Sequence, residues 1–325
     1  MIDPHEEYFG EGKGRRTGHR WRLKEDRAVM ESIPDQFLPY KGIFHCTDDA
    51  FSEGTYNGTL FRFPLRTAPS KLSQTLYSAE KVHTLFESFI ADAHLILLFL
   101  QYLETIELYV RDVSDTEARR TFQVRITDDS LSLVREKRGE FRSQIKTGQL
   151  MPQPVKVTYP ITIETVAYDQ GMESGTRRHS FLVTNYFCGG KVSSEFEILA
   201  KDEDLSYLPL VGVAMPVPER SENQPPNIKG HVFCFLPLPL QKTSLTGLPV
   251  HVNGFFALSQ NRRYIKTPNA EQEDLAQKEG RQLTDKSLLW NQCLLEEAIP
   301  RAYAAMLMEA INEKSHNVHT DAIYK

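Results

Sequence analysis

The sequence predicts an α+β protein, with a helix ahead of and a helix behind a long run of strands. Three stretches carry that expectation. Val82, Leu85, Phe86, Phe89 and Ile90 recur at i, i+3, i+4, i+7 and i+8, one face of a helix that Ser78 is placed to cap. From Val155 to Leu240 short apolar and β-branched runs alternate with turn residues such as Gly171, Gly175 and Gly189-Gly190. From Asp285 onward, DKSLLWNQCLLEEAIPRAYAAMLMEAI reads as a closing helix.

Taken in order, residues 1–33 are polar and basic, with Lys13, Arg15, Arg16, Arg20, Arg22, Lys24 and Arg27 close together. Glycine and charge dominate there, so this is a loop or lid-like segment and not core. Asn57-Gly58 predicts a hairpin, because both turn positions need positive φ, and Phe61 and Phe63 fall on one face of its second strand, opposite Arg62. After the Ser78 helix, LILLFLQYL (Leu95–Leu103) is expected as a second, buried helix. TIELYVRD and TFQVRITDD read as strands, and residues 135–155 as a charged, irregular connection.

Strands are then expected in VKVTYPITIETVAYD, RHSFLVTNYFCG, SSEFEILAK, VGVAMPVP and HVFCFLPLP. The Pro218–Gly230 stretch supplies a turn. Residues 269–283 are charged and read as exposed. In the closing helix Leu289/Cys293 and Trp290/Leu294 are i, i+4 pairs, Asp285 is a candidate cap and Pro300 a break or kink.

Composition bounds the function. The chain has 325 residues, 40% hydrophobic and 25% charged, with a net charge of −5. That describes ordinary globular material of one or two domains and points to no nucleic acid. Binding of a polyanion by Lys13–Arg27 is the one counter-reading, and it requires strong salt dependence.

Cys46, Cys188, Cys234 and Cys293 lie far apart and have no metal-ligand spacing, which suits a reducing compartment. The apolar run at Leu95 is shorter than the ~20 residues that span a bilayer. A cytoplasmic protein without a membrane span is expected. There is no GxSxG elbow, Walker loop or HExxH. His5 has no visible base partner, and His179, His231 and His251 read as packed or surface histidines.

Several long strings resemble the sacsin family in order and spacing across nearly the whole chain. They include MIDPHEEYF (Met1–Phe9), PDQFLPYKGIF (Pro34–Phe44), NGTLFRFPLRT (Asn57–Thr67) and the helix-bearing Ser78–Leu108. GHVFCFLPLPLQKTSLTGLPVHVNGFFALSQNRRYIK (Gly230–Lys266) and DKSLLWNQCLLEEAIPRAYAAML (Asp285–Leu307) complete the set.

The resemblance implies the end of a Bergerat-type (GHKL) nucleotide-binding sandwich, followed by a chaperone middle-domain-like α/β region. It divides the chain into a nucleotide-binding remnant over residues 1–70, a middle-domain-like region over 71–283 and a helical segment over 284–325. In that family an ATP pocket needs a Glu and an Asn one turn apart on a helix, an Asp-x-Gly-x-Gly loop and a glycine-rich lid. None of the three stands ahead of Asp3, and the resemblance aligns Met1 with an internal family position. Without a magnesium ligand and phosphate-cradling amides, nothing neutralises a triphosphate.

The resemblance therefore implies a chaperone or co-chaperone-type protein-interaction module, not an enzyme on its own. No cofactor is expected for this chain alone; ATP and magnesium belong to an intact repeat. The alternative is an ATPase whose missing pocket comes from an upstream segment or a partner chain. Expected partners are chaperones or client proteins, with possible self-association through unpaired strand edges.

Two candidate sites remain. Gly58-Thr59 resembles a family pair whose threonine hydroxyl reaches the adenine site, although one hydrogen bond contributes only about 1 kcal/mol. Arg262 and Arg263, in ALSQNRRYIK, end a strand of the middle region. Such a loop delivers a basic residue to a γ-phosphate in heat-shock protein 90 relatives. The residues alone equally allow a solvated or acid-paired loop, and Lys266 is a weaker candidate.

Overall fold

The structure is a computed structural model that describes residues 27–32, 34–47, 56–69, 71, 73–145, 150–217, 229–238, 245–267 and 285–312. The chain forms two compact units. The first is Met1–Val82 with Val110–Arg119, and the second is His83–Tyr109 with Arg120–Lys325.

Among the described residues of the first unit is a short helix, α1 (Arg27–Ser32), stitched by an Arg27–Glu31 ion pair one turn apart. Two 3-10 turns follow, Pro34–Gln36 and Leu38–Tyr40. A tight turn then bridges Ile43 to Cys46, with Phe44 and His45 in the left-handed region. The basic residues Lys13 to Lys24 lie outside the described residues.

The hairpin expected at Asn57-Gly58 is not seen. Residues 51–55, its first arm, lie outside the described residues, and Leu60 to Arg66 joins no ladder. Phe61 and Phe63 stack on each other 6.2 Å apart yet remain 77% and 81% exposed. A strand face needs a partner layer to be buried against, and the described residues supply none.

Helix α2 (Ala79–Ile96) carries the chain from the first unit into the second. Ser78 caps it as expected: its Oγ accepts from the Lys81 amide at 3.2 Å. The expected apolar face is only partly used, since Leu85 and Ile90 are exposed while Ala93, Leu95 and Ile96 are buried.

The run at Leu95–Leu103 is buried but is not a second helix. The helix stops at Ile96, and Leu97, Leu98 and Phe99 pack as an irregular turn. Two arginines explain how that backbone is satisfied. From α3 (Asp128–Gln144), Arg138 donates to Leu97 O at 2.7 Å and Arg142 to Gln101 O at 3.1 Å. Helix α3 also takes up residues 135–144, the first part of the 135–155 stretch expected to be irregular. Its apolar positions Val134 and Phe141 are one heptad apart, a spacing masked by the surrounding charge.

The second unit is built on one sheet, ordered β1-β2-β3-β4-β5-β8-β6-β7. The strands are β1 (Thr105–Val110), β2 (Arg119–Ile126), β3 (Val155–Asp169), β4 (Met172–Phe187), β5 (Leu210–Val217), β6 (Val232–Cys234), β7 (Leu236–Pro237) and β8 (His251–Gly254). Neighbours from β2 through β5 to β8 pair antiparallel, whereas β6 runs parallel to β8. The β3–β4 turn places Gln170 and Gly171 at φ 49° and 83°, as a tight two-residue turn requires.

Both faces of the sheet are covered. Val155, Val157, Tyr159, Ile161 and Ile163, every second residue of β3, join α3 and Leu97–Phe99 in one core. Leu182, Tyr186, Val211, Val213 and Val252 join the C-terminal helices in the other. Burial on two sides accounts for the unbroken buried run of β4 from Phe181 to Phe187, in which only Thr184 and Asn185 are polar.

SSEFEILAK is a helix, α4 (Ser194–Ala200), and not the expected strand. Ser193 caps it, and Phe196, Leu199 and Ala200 are buried at i, i+3 and i+4 while Ile198 is exposed. The period is helical, although short enough to pass for alternation.

The chain closes with α5 (Lys286–Cys293), a π-helical turn (Leu294–Ala298) and α6 (Ile299–Asn312). Asp285 accepts from the Ser287 amide at 2.9 Å, the cap expected of it. Pro300 neither breaks nor ends the helix. Proline cannot donate an i→i−4 bond, and the turn before it widens so that the Ile299 amide reaches back five residues to Leu294 O.

Candidate functional site

In the second unit, β6, β8 and the helices α5 and α6 enclose a cavity of about 1140 Å³. Its walls are mainly apolar: Val232 and Val252 from the sheet, Leu245, Leu248 and Val250 from the segment before β8, Leu288, Leu295, Ile299 and Tyr303 from the helices. Leu245, Leu248 and Leu295 are 38%, 42% and 45% exposed, so leucines from the segment before β8 and from the C-terminal helices face solvent beside one cavity.

The loop after β8 forms one side of the cavity through Ser259, Gln260 and Tyr264 to Thr267. It is a small closed structure. Leu258 bridges Ile265, and the Ser259 amide donates to Tyr264 O at 2.9 Å. Ser259 Oγ donates to Asn261 Oδ1 at 2.7 Å, and that oxygen also accepts from the Arg263 amide at 3.1 Å. Arg262 occupies the left-handed region at φ 55° and its amide donates to Ser259 O. The tip therefore presents Arg262 and Arg263 to solvent, and neither forms an ion pair among the described residues.

The loop is anchored from behind. Asn291, buried on α5, accepts from the Ala257 amide and donates to the carbonyls of Ala257 and Lys266. Trp290 Nε1 donates to Phe255 O at 2.9 Å. Lys266 Nζ pairs with Asp285 at 2.5 Å, and this contact, ahead of the other influences, holds the Asp285 carboxyl below the usual range. Lys266 is thus a structural partner of the helix cap.

Thr59 belongs to the first unit, where it is exposed just after the Asn57-Gly58 bend. Arg262 and Arg263 belong to the second. Among the described residues no group of three or more His, Cys, Asp or Glu is arranged to hold a metal ion. Nor is any helix there long and apolar enough to cross a membrane. Burial pushes the Cys188 and Cys293 thiols up to about 12, far from nucleophilic at neutral pH.

Residues 1–123 match the family model for the sacsin domain. Over 340 aligned residues, covering all of this chain, human sacsin is 37% identical. The chain is sacsin-like. It spans about 7% of the length of that relative. In the sacsin-like chain the cavity and its arginine loop lie beyond the stretch that the domain model matches, but within the stretch aligned to human sacsin.

Sequence reasoning found the arginine loop, the Asp285 cap and the closing helix, but not the cavity. The signal for its anchor was Asn291, which with Gln292 is one of two amides amid apolar residues in LLWNQCLL. A polar side chain in that setting has to find buried partners.

Proposed function

We propose that this sacsin-like chain is a chaperone or co-chaperone-type protein-interaction module that is not catalytic alone. The observation that carries the reading is the solvent-open apolar cavity flanked by two arginines free of ion pairs among the described residues. It is a surface suited to capturing apolar segments of another protein. Similarity to human sacsin along the full chain supports it. The finer fold reading, a GHKL-type remnant followed by a chaperone middle-domain-like region, belongs to the same proposal, as does a cytoplasmic setting. Its partners are other chaperones or client proteins.

Light scattering of heat-denatured citrate synthase tests the reading. Purified chain in molar excess lowers the scattering if the proposal holds; unchanged scattering across the whole range of ratios contradicts it.

A second reading, an ATPase module completed from elsewhere, keeps Thr59 as an adenine contact and Arg262 or Arg263 as the phosphate-facing cation. The exposure of both arginines at the tip of an ordered loop is what favours it. ATP and magnesium enter only in that completed state.

A further inference from the structure

We infer that the cavity between the β6–β8 side of the sheet and α5–α6 takes an apolar peptide segment that carries acidic side chains at its border. The inference rests on the interaction-module reading and names the chemistry of what is bound.

Size points to a peptide first. At about 1140 Å³ the cavity stands at the upper end of the ~300–1,000 Å³ usual for small-molecule pockets and has room for a run of several residues. The lining points the same way. Leu245 and Leu248 on the segment before β8, and Leu295 on the helical side, stand partly exposed, so an apolar face laid across them removes water from all three at once.

Charge sets the border of the ligand. Among the described residues, the lining Lys266 is paired with Asp285, and Glu296, next to the lining Leu295, accepts from Gln292. Arg262 and Arg263, at the tip of the loop whose two arms line the cavity, bring two positive charges that form no ion pair among the described residues. Positive charge beside an apolar opening selects a ligand with apolar anchors and carboxylates next to them. The loop is held in shape by Ser259, Asn261 and Asn291, so little ordering is needed when the ligand arrives.

Fluorescence anisotropy of the full chain tests this with a labelled helical peptide bearing leucines on one face and glutamates along its border. A twin peptide has lysines in place of the glutamates. The glutamate peptide binds more tightly, and added salt narrows the difference. Leu248→Gln and Leu295→Gln, both at exposed positions, each weaken binding about tenfold, as expected for anchor positions. Arg262→Asn, which tolerates the left-handed backbone, combined with Arg263→Gln, weakens it about threefold to tenfold and removes most of the salt dependence. Melting midpoints near that of the parent chain show that the variants remain folded.

Equal binding of both peptides, or binding indifferent to the leucine variants, overturns the inference. If the parent chain still suppresses client aggregation, the module reading survives that failure; if suppression is absent too, both fall. A concentration-dependent dimer that Leu248→Gln dissociates also overturns it, because the cavity is then covered by a second copy of the chain.

Discussion

Asn291 holds both backbone polar groups of Ala257, its Oδ1 accepting from the Ala257 amide and its Nδ2 donating to the Ala257 carbonyl, each at 2.8 Å. A side-chain amide on α5 thus acts as one rung of a ladder, and its second Nδ2 hydrogen reaches Lys266 O at 2.9 Å. Both arms of the arginine loop are joined to one helix by a residue only 2% exposed. Replacing it with alanine leaves the Ala257 amide and the Lys266 carbonyl without their partner, while Ala257 O keeps the Lys266 amide, and costs about 2–4 kcal/mol. Urea denaturation measures the loss, and hydrogen exchange at the Ala257 amide reports loosening of the loop itself.

Arg138 plays the corresponding part on the other face of the sheet. It is buried, with Nη2 on Leu97 O and Nε near the Tyr159 hydroxyl, which also accepts from Asn185 at 3.1 Å. Arg138→Ala opens a void and strands the Leu97 carbonyl, at a cost of about 3 kcal/mol. Denaturant melts of the full chain check it, and a loss under about 0.5 kcal/mol, the range of neutral surface changes, contradicts it.

Four histidines meet between α2, β4, β8 and the residue before β6. The His94 and His179 rings stack 4.3 Å apart, and those of His231 and His251 5.6 Å apart. His251 Nδ1 accepts from the His231 amide, which requires that nitrogen to be unprotonated. Burial, then repulsion from His179 and His231, lowers His94 to about 4. Burial, then His231 and His94, lowers His251 to about 3. His231 is also lowered by burial, against the pull of Asp92.

Folded values below the ordinary 6.5 mean that the unfolded chain takes up protons first as pH falls. The stability that neutral His94 and His251 provide is therefore complete above pH 6.5 and is lost as pH drops toward about 4 for His94 and about 3 for His251. Each contributes a slope of about 1.4 kcal/mol per pH unit in that window. The melting midpoint of the parent chain falls steeply from pH 6.5 to pH 4. His251→Asn, whose Oδ1 can replace Nδ1 as acceptor, flattens the curve. A parent curve that stays level in this range contradicts the buried, neutral cluster.

Gly230 lies where the chain enters β6 beside the cavity wall. A Cβ there would stand 1.9 Å from Val250 O and 2.5 Å from Leu248 O, so backbone has to move. Gly230→Ala costs about 1–3 kcal/mol, typical of overpacking. It also weakens binding of the glutamate peptide, because Leu248 and Val250 are displaced with it.

Much of the α+β order was readable from residue patterns. The Ser78 and Asp285 caps, both long strands of the β3–β4 hairpin and the closing helix all show local signals that tertiary packing leaves intact. SSEFEILAK misled because a two-turn helix offers too few residues to separate a period of 3.6 from one of 2. Leu95–Leu103 misled because only Arg138 and Arg142, some forty positions on, make a non-helical backbone tolerable there.

The candidate site was legible only in part for the same reason. Arg262 and Arg263 stand out in the string itself, whereas the cavity beside them is assembled from segments between Val232 and Tyr303. No local pattern records the space that such segments leave among them.

A binding module without its own nucleotide site has a sharp signature in a thermal melt of the purified chain with and without millimolar Mg-ATP. A ligand that binds only the folded state at a hundredfold excess over its dissociation constant adds about 2.7 kcal/mol, which a melt resolves easily. The expected result is one cooperative transition whose midpoint does not move. A clear upward shift, abolished when Thr59 or the Arg262–Arg263 pair is replaced, would overturn this reading and make the chain a nucleotide-binding one.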